Sequence, residues 1–263
     1  MRPLHRLLIR GLAVGLAMAG GSAQAQPATL PPEAVGAWQY YNSHGWAAFN
    51  GGNLDVAEDR FEKAIEVMKP HRAISSRLLV RSYQDLSRVL YSRKRYAAAE
   101  PLQKWVVDVR RLDGRVEPDV LFDSIYLLAL IHREQHHDEQ AEALFHEAMQ
   151  IEEKAVGPTN LSLASTLDDL STVEFRQKKY HKAELHLRRA LAIRRATGAT
   201  GSPEYADSLE RYAKVLDQLD RGAEAREAEE AVAQIRAAAE QSRTAGTTIP
   251  FGHRDAGLRP AVR

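Results

Sequence analysis

The stretch SYQDLSRVLYSRKRYAAAEPLQKWVVDVRRL (residues 82–112) contains two helical patterns separated by a short polar break. In both halves, packing side chains recur at spacings of three and four residues, the period of one face of an α-helix. The first pattern consists of Tyr83, Leu86, Ser87 and Leu90, and the second of Tyr96, Ala99, Leu102, Val106 and Val109. The break is the basic sequence RKR at 93–95. This stretch therefore predicts two helices joined by a tight turn.

The same pattern returns every 42 residues through the middle of the chain. Three columns of equivalent residues keep this step: Ala57, Ala99, Ala141, Ala183 and Ala225; Val67, Val109, Ile151, Ile193 and Ile235; and Gly45, Ser87, Ala129, Ser171 and Ala213. Five units in register without an insertion indicate a repeat protein. Because neither helix of a unit can bury its apolar stripe alone, the units are expected to stack around one continuous core.

Large–small pairs such as Leu86-Ser87, and the phrases RYAAAEPLQKWV, EQAEALFHEAM and KYHKAELHLRRAL, resemble the tetratricopeptide repeat (TPR). The 42-residue step resembles the longer variety found in kinesin light chains. The turn departs from the family pattern, since Lys94, His136 and Lys178 stand where a glycine is usual. The resemblance implies an all-α, right-handed α-solenoid of five helix–turn–helix units over 37–240. The predicted units are 38–79, 80–121, 122–163, 164–205 and 206–240.

The two ends of the chain lack the repeat. Residues 1–25 combine a basic start, an apolar run of small residues and a terminal AQA, which predicts a secretory signal peptide cleaved after Ala25 rather than a membrane anchor. Residues 26–36 predict a linker, and 241–263, with several Gly, Pro and Thr, predict a disordered tail. We therefore expect a periplasmic or secreted protein whose mature chain has no membrane span.

Composition and motifs argue against most kinds of chemistry. The chain has 36 Lys+Arg and 35 Asp+Glu, so its net charge does not favour a nucleic-acid partner. Without cysteine it cannot build disulfides, iron–sulfur clusters, thiol nucleophiles or thiolate zinc sites. It also lacks the P-loop, G-x-S-x-G and G-x-G-x-x-G motifs. We expect a protein that is not an enzyme and uses no cofactor.

The histidine-rich stretch IHREQHHDEQAEALFHEAMQ (131–150) raises the question of a metal site. His132 and His136 are four residues apart, but His136 falls in the predicted turn, and Arg133 stands where the metalloprotease motif needs glutamate. His132 occupies a packing column, in which Glu174 is the equivalent residue of the next unit. We therefore predict no metal site and a structural His132–Glu174 contact. A metal-dependent enzyme using His132 and His136 is the least favoured alternative.

The resemblance further implies a concave groove, lined by the first helices of the units, that holds a protein or peptide segment. Family groove positions carried over by register are Asn42, Trp46, Phe49, Arg81, Gln84, Arg88, Tyr91, Asp123, Tyr126, Leu130, Arg133, Asp168, Thr172, Phe175, Asp207, Glu210, Lys214 and Asp217. Exposed Trp, Tyr and Arg are the residue types that dominate interface energetics. Alternatively, Trp46 and Phe49 pack against 26–36. Arginines in unit two and carboxylates in unit five predict a partner that is acidic at one end and basic at the other.

These observations together predict a non-catalytic adaptor or scaffold for protein–protein interaction. Its expected partner is a protein or peptide bound in the groove. The main alternative is a structural protein that self-associates into a homo-oligomer through the ends of the stack or the second-helix faces.

Overall fold

The computed structural model describes residues 29–72 and 76–244, and this part of the chain contains α-helices and no β-strand. The helices are α1 (Pro32–Asn50), α2 (Leu54–Met68), α3 (Ser76–Ser92), α4 (Tyr96–Leu112), α5 (Pro118–Glu134), α6 (Asp138–Val156), α7 (Leu161–Arg176), α8 (Tyr180–Ala196), α9 (Pro203–Gln218) and α10 (Gly222–Thr244). One turn of 3₁₀ helix (Lys69–His71) follows α2. The predicted all-α repeat is confirmed. The predicted signal peptide and residues 245–263 of the predicted tail lie outside the described residues.

Consecutive helices pack against each other along the whole stack, α1 with α2, α2 with α3, and so on to α10. In addition, α3 contacts α5 and α7 contacts α9. The first helices of these units therefore approach each other on one side, which is the inner side of the stack. No helix of the described residues is long and apolar enough to cross a membrane.

The ends of the repeat region differ slightly from the prediction. Helix α1 begins at Pro32, so residues 32–36 of the predicted linker are helical. A proline in the first turn costs no hydrogen bond, because the first amides of a helix have no partner within it. Helix α10 continues to Thr244, past the predicted end at 240.

Small side chains allow the two helices of a unit to approach closely. Ala57, Ala99, Ala141 and Ala183 are each 0% exposed. A Cβ atom built on Gly45 of α1 would lie 2.7 Å from Cε1 of the Phe61 ring in α2. The glycine is therefore required by the packing of that ring.

The turn between the helices of each unit has the same left-handed residue at the same position. Its members and their φ angles are Gly52 (76°), Lys94 (57°), His136 (59°), Lys178 (60°) and Asp220 (57°). The next amide donates to a carbonyl five residues back, as from Arg95 to Leu90 at 2.8 Å. This is the bond pattern of a Schellman cap, which favours glycine. Four units adopt it with a side chain, at a cost of about 1 kcal/mol each.

A column of glutamates on the second helices joins each unit to the turn of the next one. Its contacts are Glu58 with Arg93 and Arg95, Glu100 with Gln135, Glu142 with Gln177 and Lys179, and Glu184 with Arg221. Three of these four glutamates accept from a cation, so the turn edge of the stack is held by ion pairs. At Glu100 the bond from Gln135 is 2.8 Å long and neutral.

Candidate partner-binding groove

The predicted groove residues lie on the inner side of the stack, on α1, α3, α5, α7 and α9. Two columns are central to its structure. The bridge column consists of Asn42, Gln84, Tyr126 and Asp168, all of which are buried. The rim column consists of Phe49, Tyr91, Arg133 and Phe175, all of which are half-buried.

Polar bonds from the bridge column join unit one to unit two. Asn42 Nδ2 donates to Asp85 Oδ2 at 2.9 Å, and Trp46 Nε1 donates to the same oxygen at 3.3 Å. One turn earlier, Trp38 Nε1 donates to Ser82 Oγ at 2.8 Å. Burial raises the pKa of Asp85, and the bonds from Asn42 and Trp46 oppose that shift. These donors therefore stabilise a carboxylate that is only 2% exposed.

The same arrangement recurs two units later. Tyr126 Oη donates to Asp169 Oδ2, and the Arg133 guanidinium forms an ion pair with the other oxygen of that carboxylate. Tyr126 and Asp169 are the register equivalents of Asn42 and Asp85. Burial raises the pKa of Tyr126 well above its usual value, and the Asp169 charge raises it further, so the phenol remains a donor.

Asp168 ties α7 to both helices that follow it. Its carboxylate accepts from Arg194 Nη2 at 2.7 Å and from Ser208 Oγ at 2.8 and 2.9 Å, and Arg211 Nη1 lies 3.8 Å away. Burial raises the pKa of Asp168 to about 6, against the opposing effect of the two arginines and the serine. At neutral pH the group is a buried anion, and removing it would leave the buried Arg194 without its counter-ion.

Gln84 completes the bridge column between units two and three. Its Oε1 accepts from Arg110 of α4 and, at 3.3 Å, from Ser124 Oγ of α5. Arg110 also donates to Ser124 Oγ. The predicted groove residue Gln84 is therefore a structural link.

Arg88 is also buried, which differs from its predicted role as a partner-binding residue. It is 5% exposed, and its guanidinium nitrogens lie 3.7 Å from Asp85 and 3.7 Å from Asp123. The guanidinium carbon stands 5.7 Å from the centroid of the Trp46 ring. Internal carboxylates and a ring therefore occupy the surroundings of this cation.

The rim column presents large side chains along four consecutive units. Phe49 packs edge-on against Trp46 with ring centroids 5.5 Å apart, Tyr91 lies 5.5 Å from Tyr96, and Phe175 lies 5.4 Å from Tyr180. Each ring is thus held on one side and open on the other. The half-buried Arg81 extends this surface at unit two, where it lies over the Trp38 ring.

The predicted carboxylates of unit five are partly neutralised. Asp207 and Glu210 form ion pairs with Arg236 of α10 at 3.3 and 2.7 Å, and Glu210 also pairs with Lys214 at 2.8 Å. Asp217 is exposed. Charge complementarity with a partner is therefore weaker at this end than the sequence predicts.

The predicted His132–Glu174 contact is not found among the hydrogen bonds of the two side chains. Glu174 Oε2 is instead bound to His186 Nδ1 at 2.8 Å, and His132 Nδ1 lies 3.4 Å from His137 Nδ1. Glu174 is turned towards the second helix α8, and His132 is turned towards the residue that precedes α6, rather than along the row of first helices. Although His132 and Glu174 are equivalent residues of neighbouring units, their side chains therefore do not face each other.

His136 does not join His132 in a metal-binding group. It is exposed in the left-handed turn, whereas the acid and imidazole near His132 are Glu100 and His137. A metal enzyme using both His132 and His136 would need the two imidazoles close together. Among the described residues, His132 is instead grouped with Glu100 and His137.

Several residues that complete the groove were missed in the sequence. Asp85 and Asp169 each follow a bridge-column donor by 43 residues, and this spacing could have identified them. No spacing could have identified Arg110 and Arg194, because they reach the inner side from second helices.

Comparisons with known proteins agree with this architecture. Residues 79–112 and 122–196 match family models described as tetratricopeptide repeat. No curated protein matches the chain. Among solved structures, the putative kinesin light chain of Podosopora anserina, with nearly identical TPR-like repeats, is similar over 81% of this chain and 100% of its own, at 16% identity and a TM-score of 0.69.

Two further structures share the fold. BtubC (BKLC) from P. vanneervenii matches 88% of this chain and 93% of its own, with 16% identity and a TM-score of 0.63. The apo form of RapI matches 79% and 85%, with 12% identity and a TM-score of 0.56. With its 42-residue units, consecutive helix pairs and matched segments, the chain is a member of the tetratricopeptide-repeat family.

Proposed function

We propose that this protein is an exported, non-catalytic adaptor that binds a segment of another protein along the rim column. The observation that carries the proposal is the series Phe49, Tyr91, Arg133 and Phe175, which places a half-buried large side chain at one position of four consecutive units. Aromatic residues and arginine supply much of the binding energy of protein interfaces. The repeat fold supports a protein partner, since stacked repeats create extended inner surfaces for binding.

The dimensions of the surface set the size of the segment. Packed helices lie roughly 8–10 Å apart, so the three intervals between four rim positions span about 24–30 Å. An extended chain advances about 3.3 Å per residue and would cover this span with roughly seven to nine residues. Exposed Lys94 and Lys178 flank the rim column at the turns. A partner segment with acidic residues between its apolar ones would complement the charge of these two lysines.

Capture from a native envelope fraction tests the proposal. The bait is the chain without residues 1–25, compared with the double variant Tyr91→Gln/Phe175→Gln and with Leu185→Gln. Leu185 is 64% exposed and lies on the second helix α8, which makes it the matched control. We expect a protein that is retained by the wild type and the control and lost by the double variant. Retention by all three baits would contradict the proposal.

Two measurements address the other parts of the proposal. Sedimentation equilibrium over a range of concentrations separates an adaptor from a self-associating structural protein. For a self-associating protein, the mass would rise with concentration, and it would rise equally in the rim variant Tyr91→Gln/Phe175→Gln. Mass spectrometry of the exported protein tests the signal peptide. We expect a mature chain that begins at Gln26, and retention of residues 1–25 would contradict export by cleavage.

A further inference from the structure

A second cluster lies at the junction of α6, α7 and α8, outside the groove. Glu142, His146 and Glu174 each offer one oxygen or nitrogen atom, and these atoms all lie within 4.8 Å of one another. His186 borders the cluster, with Nδ1 2.8 Å from Glu174 Oε2 and its ring centroid 5.8 Å from that of His146. Two carboxylates and two imidazoles from three helices therefore converge.

Glu174 is the unusual member of this cluster. Its side chain is 0% exposed, and its Oε1 atom has no hydrogen-bond partner. An ionised carboxylate buried with one imidazole partner is costly, because the unpaired oxygen loses its hydration without compensation. The arrangement calls for a further positive group at Oε1.

We propose that Glu142, His146 and Glu174 bind a divalent transition-metal ion of the Zn²⁺ class, with His186 as the partner of the Glu174 carboxylate. Mixed imidazole and carboxylate ligands suit zinc and its neighbours, whereas calcium and magnesium prefer sites made of oxygen atoms alone. A hydrogen bond between a ligand and a second polar side chain, like that of Glu174 with His186, is the usual support of such a site. The bound ion would tie unit three to unit four.

Existing contacts limit which atoms are available. Glu142 Oε2 accepts from Lys179 and from Gln177, the latter at 2.9 Å, and Lys182 lies 3.6 Å from Oε1. Oε1 is therefore the metal-binding atom of Glu142. The two lysines weaken the affinity for a cation by electrostatic repulsion.

The preceding junction, between units two and three, contains a comparable group that serves as a control. Glu100, His132 and His137 have ligand atoms within 4.8 Å of one another, and Glu100 is the register equivalent of Glu142. This group has one carboxylate instead of two, and its His137 is exposed. We expect it to bind zinc more weakly than the cluster around Glu174.

Isothermal titration of ZnCl₂ into the full chain, purified without a histidine tag and stripped with a chelator, tests the proposal. We expect one tight site per chain, an affinity at least tenfold lower in both Glu174→Gln and His146→Ala, and an unchanged affinity in the control His137→Ala. Circular dichroism identifies any variant that fails to fold, and the half-buried His146 provides a second variant if Glu174→Gln does.

Cobalt(II) gives an independent readout, because a tetrahedral site produces an intense visible absorption that octahedral cobalt lacks. We expect this absorption in the wild type and in His137→Ala, and its loss in His146→Ala. Absence of zinc binding, full affinity in both cluster variants, or loss of binding in His137→Ala alone would each overturn the proposal.

Discussion

The bridge column and the rim column lie on the same first helices, seven residues or about two turns apart, yet their environments differ. Asn42, Gln84, Tyr126 and Asp168 are buried and bonded to the following unit. Phe49, Tyr91 and Phe175 keep part of each ring in solvent. Position on an inner surface therefore does not by itself make a residue available to a partner. Polar side chains on that surface can have their hydrogen bonds satisfied within the stack.

Asp168→Ala should have the largest effect on the bridge column. The change leaves the guanidinium of Arg194, 3% exposed, without its carboxylate and removes both bonds from Ser208. Breaking one side of a buried ion pair costs about 3–5 kcal/mol. Denaturant unfolding should therefore show a loss of about that size. Glu210→Ala, which breaks ion pairs at the surface, is the control and should cost less than about 1 kcal/mol.

Gly45→Ala tests the position between the two columns on α1. The added Cβ would lie within 3.0 Å of the buried Phe61 ring, so overpacking should cost about 1–3 kcal/mol. Gly36→Ala on the same helix meets no atom within 4 Å and should stabilise by up to about 1 kcal/mol through helix propensity. Thermal melts of the two variants should move in opposite directions. Equal shifts would contradict the steric role of Gly45.

Phe175→Gln should have a smaller effect than Asp168→Ala, although both residues are on α7. The ring is half-buried, so its loss should cost about 1 kcal/mol, roughly half of the 1.5–3 kcal/mol for full burial. Denaturant unfolding measures the difference. A cost as large as that of Asp168→Ala would remove the distinction between the two columns.

Lys94→Gly should produce the smallest change, and it should be favourable. The turn places Lys94 at φ 57°, where glycine avoids the steric cost of a Cβ, so stability should rise by about 0.5–1 kcal/mol. Lys104→Gly, at an exposed position inside α4, should lower stability by about 1 kcal/mol. A loss of stability in Lys94→Gly would show that the lysine side chain stabilises the turn by more than the strain.

The sequence predicted the helices and their order because the 42-residue step repeats in every packing column. It predicted that Asn42, Arg88 and Tyr126 lie on the inner side but not that they are buried. Register places a residue on a face, whereas burial depends on what the neighbouring unit places opposite it. Asp85 and Asp169 could have been recognised from their 43-residue spacing. Arg194 could not, since its contact depends on how α8 packs against α7.

The histidines also show that register does not predict side-chain contacts. Register made His132 and Glu174 equivalent, and the prediction treated equivalence as contact. Instead, Glu174 is bonded to His186 on the second helix α8, and His132 approaches His137, which caps the start of α6. Side-chain direction is set by helix orientation, which the repeat pattern alone does not contain.

A double-mutant cycle on Asn42 and Asp85 tests most directly that bridge-column bonds hold neighbouring units together. The unfolding free energies of the wild type, Asn42→Ala, Asp85→Ala and the double variant give the coupling between the two residues. A bond to a charged group in this buried position predicts a coupling of about 1.5–3 kcal/mol. The exposed pair Asp59 and Lys63 on α2 is the control, with about 0.3–0.5 kcal/mol expected. A coupling at Asn42 and Asp85 no larger than that of the control would show that bridge-column bonds do not hold neighbouring units together.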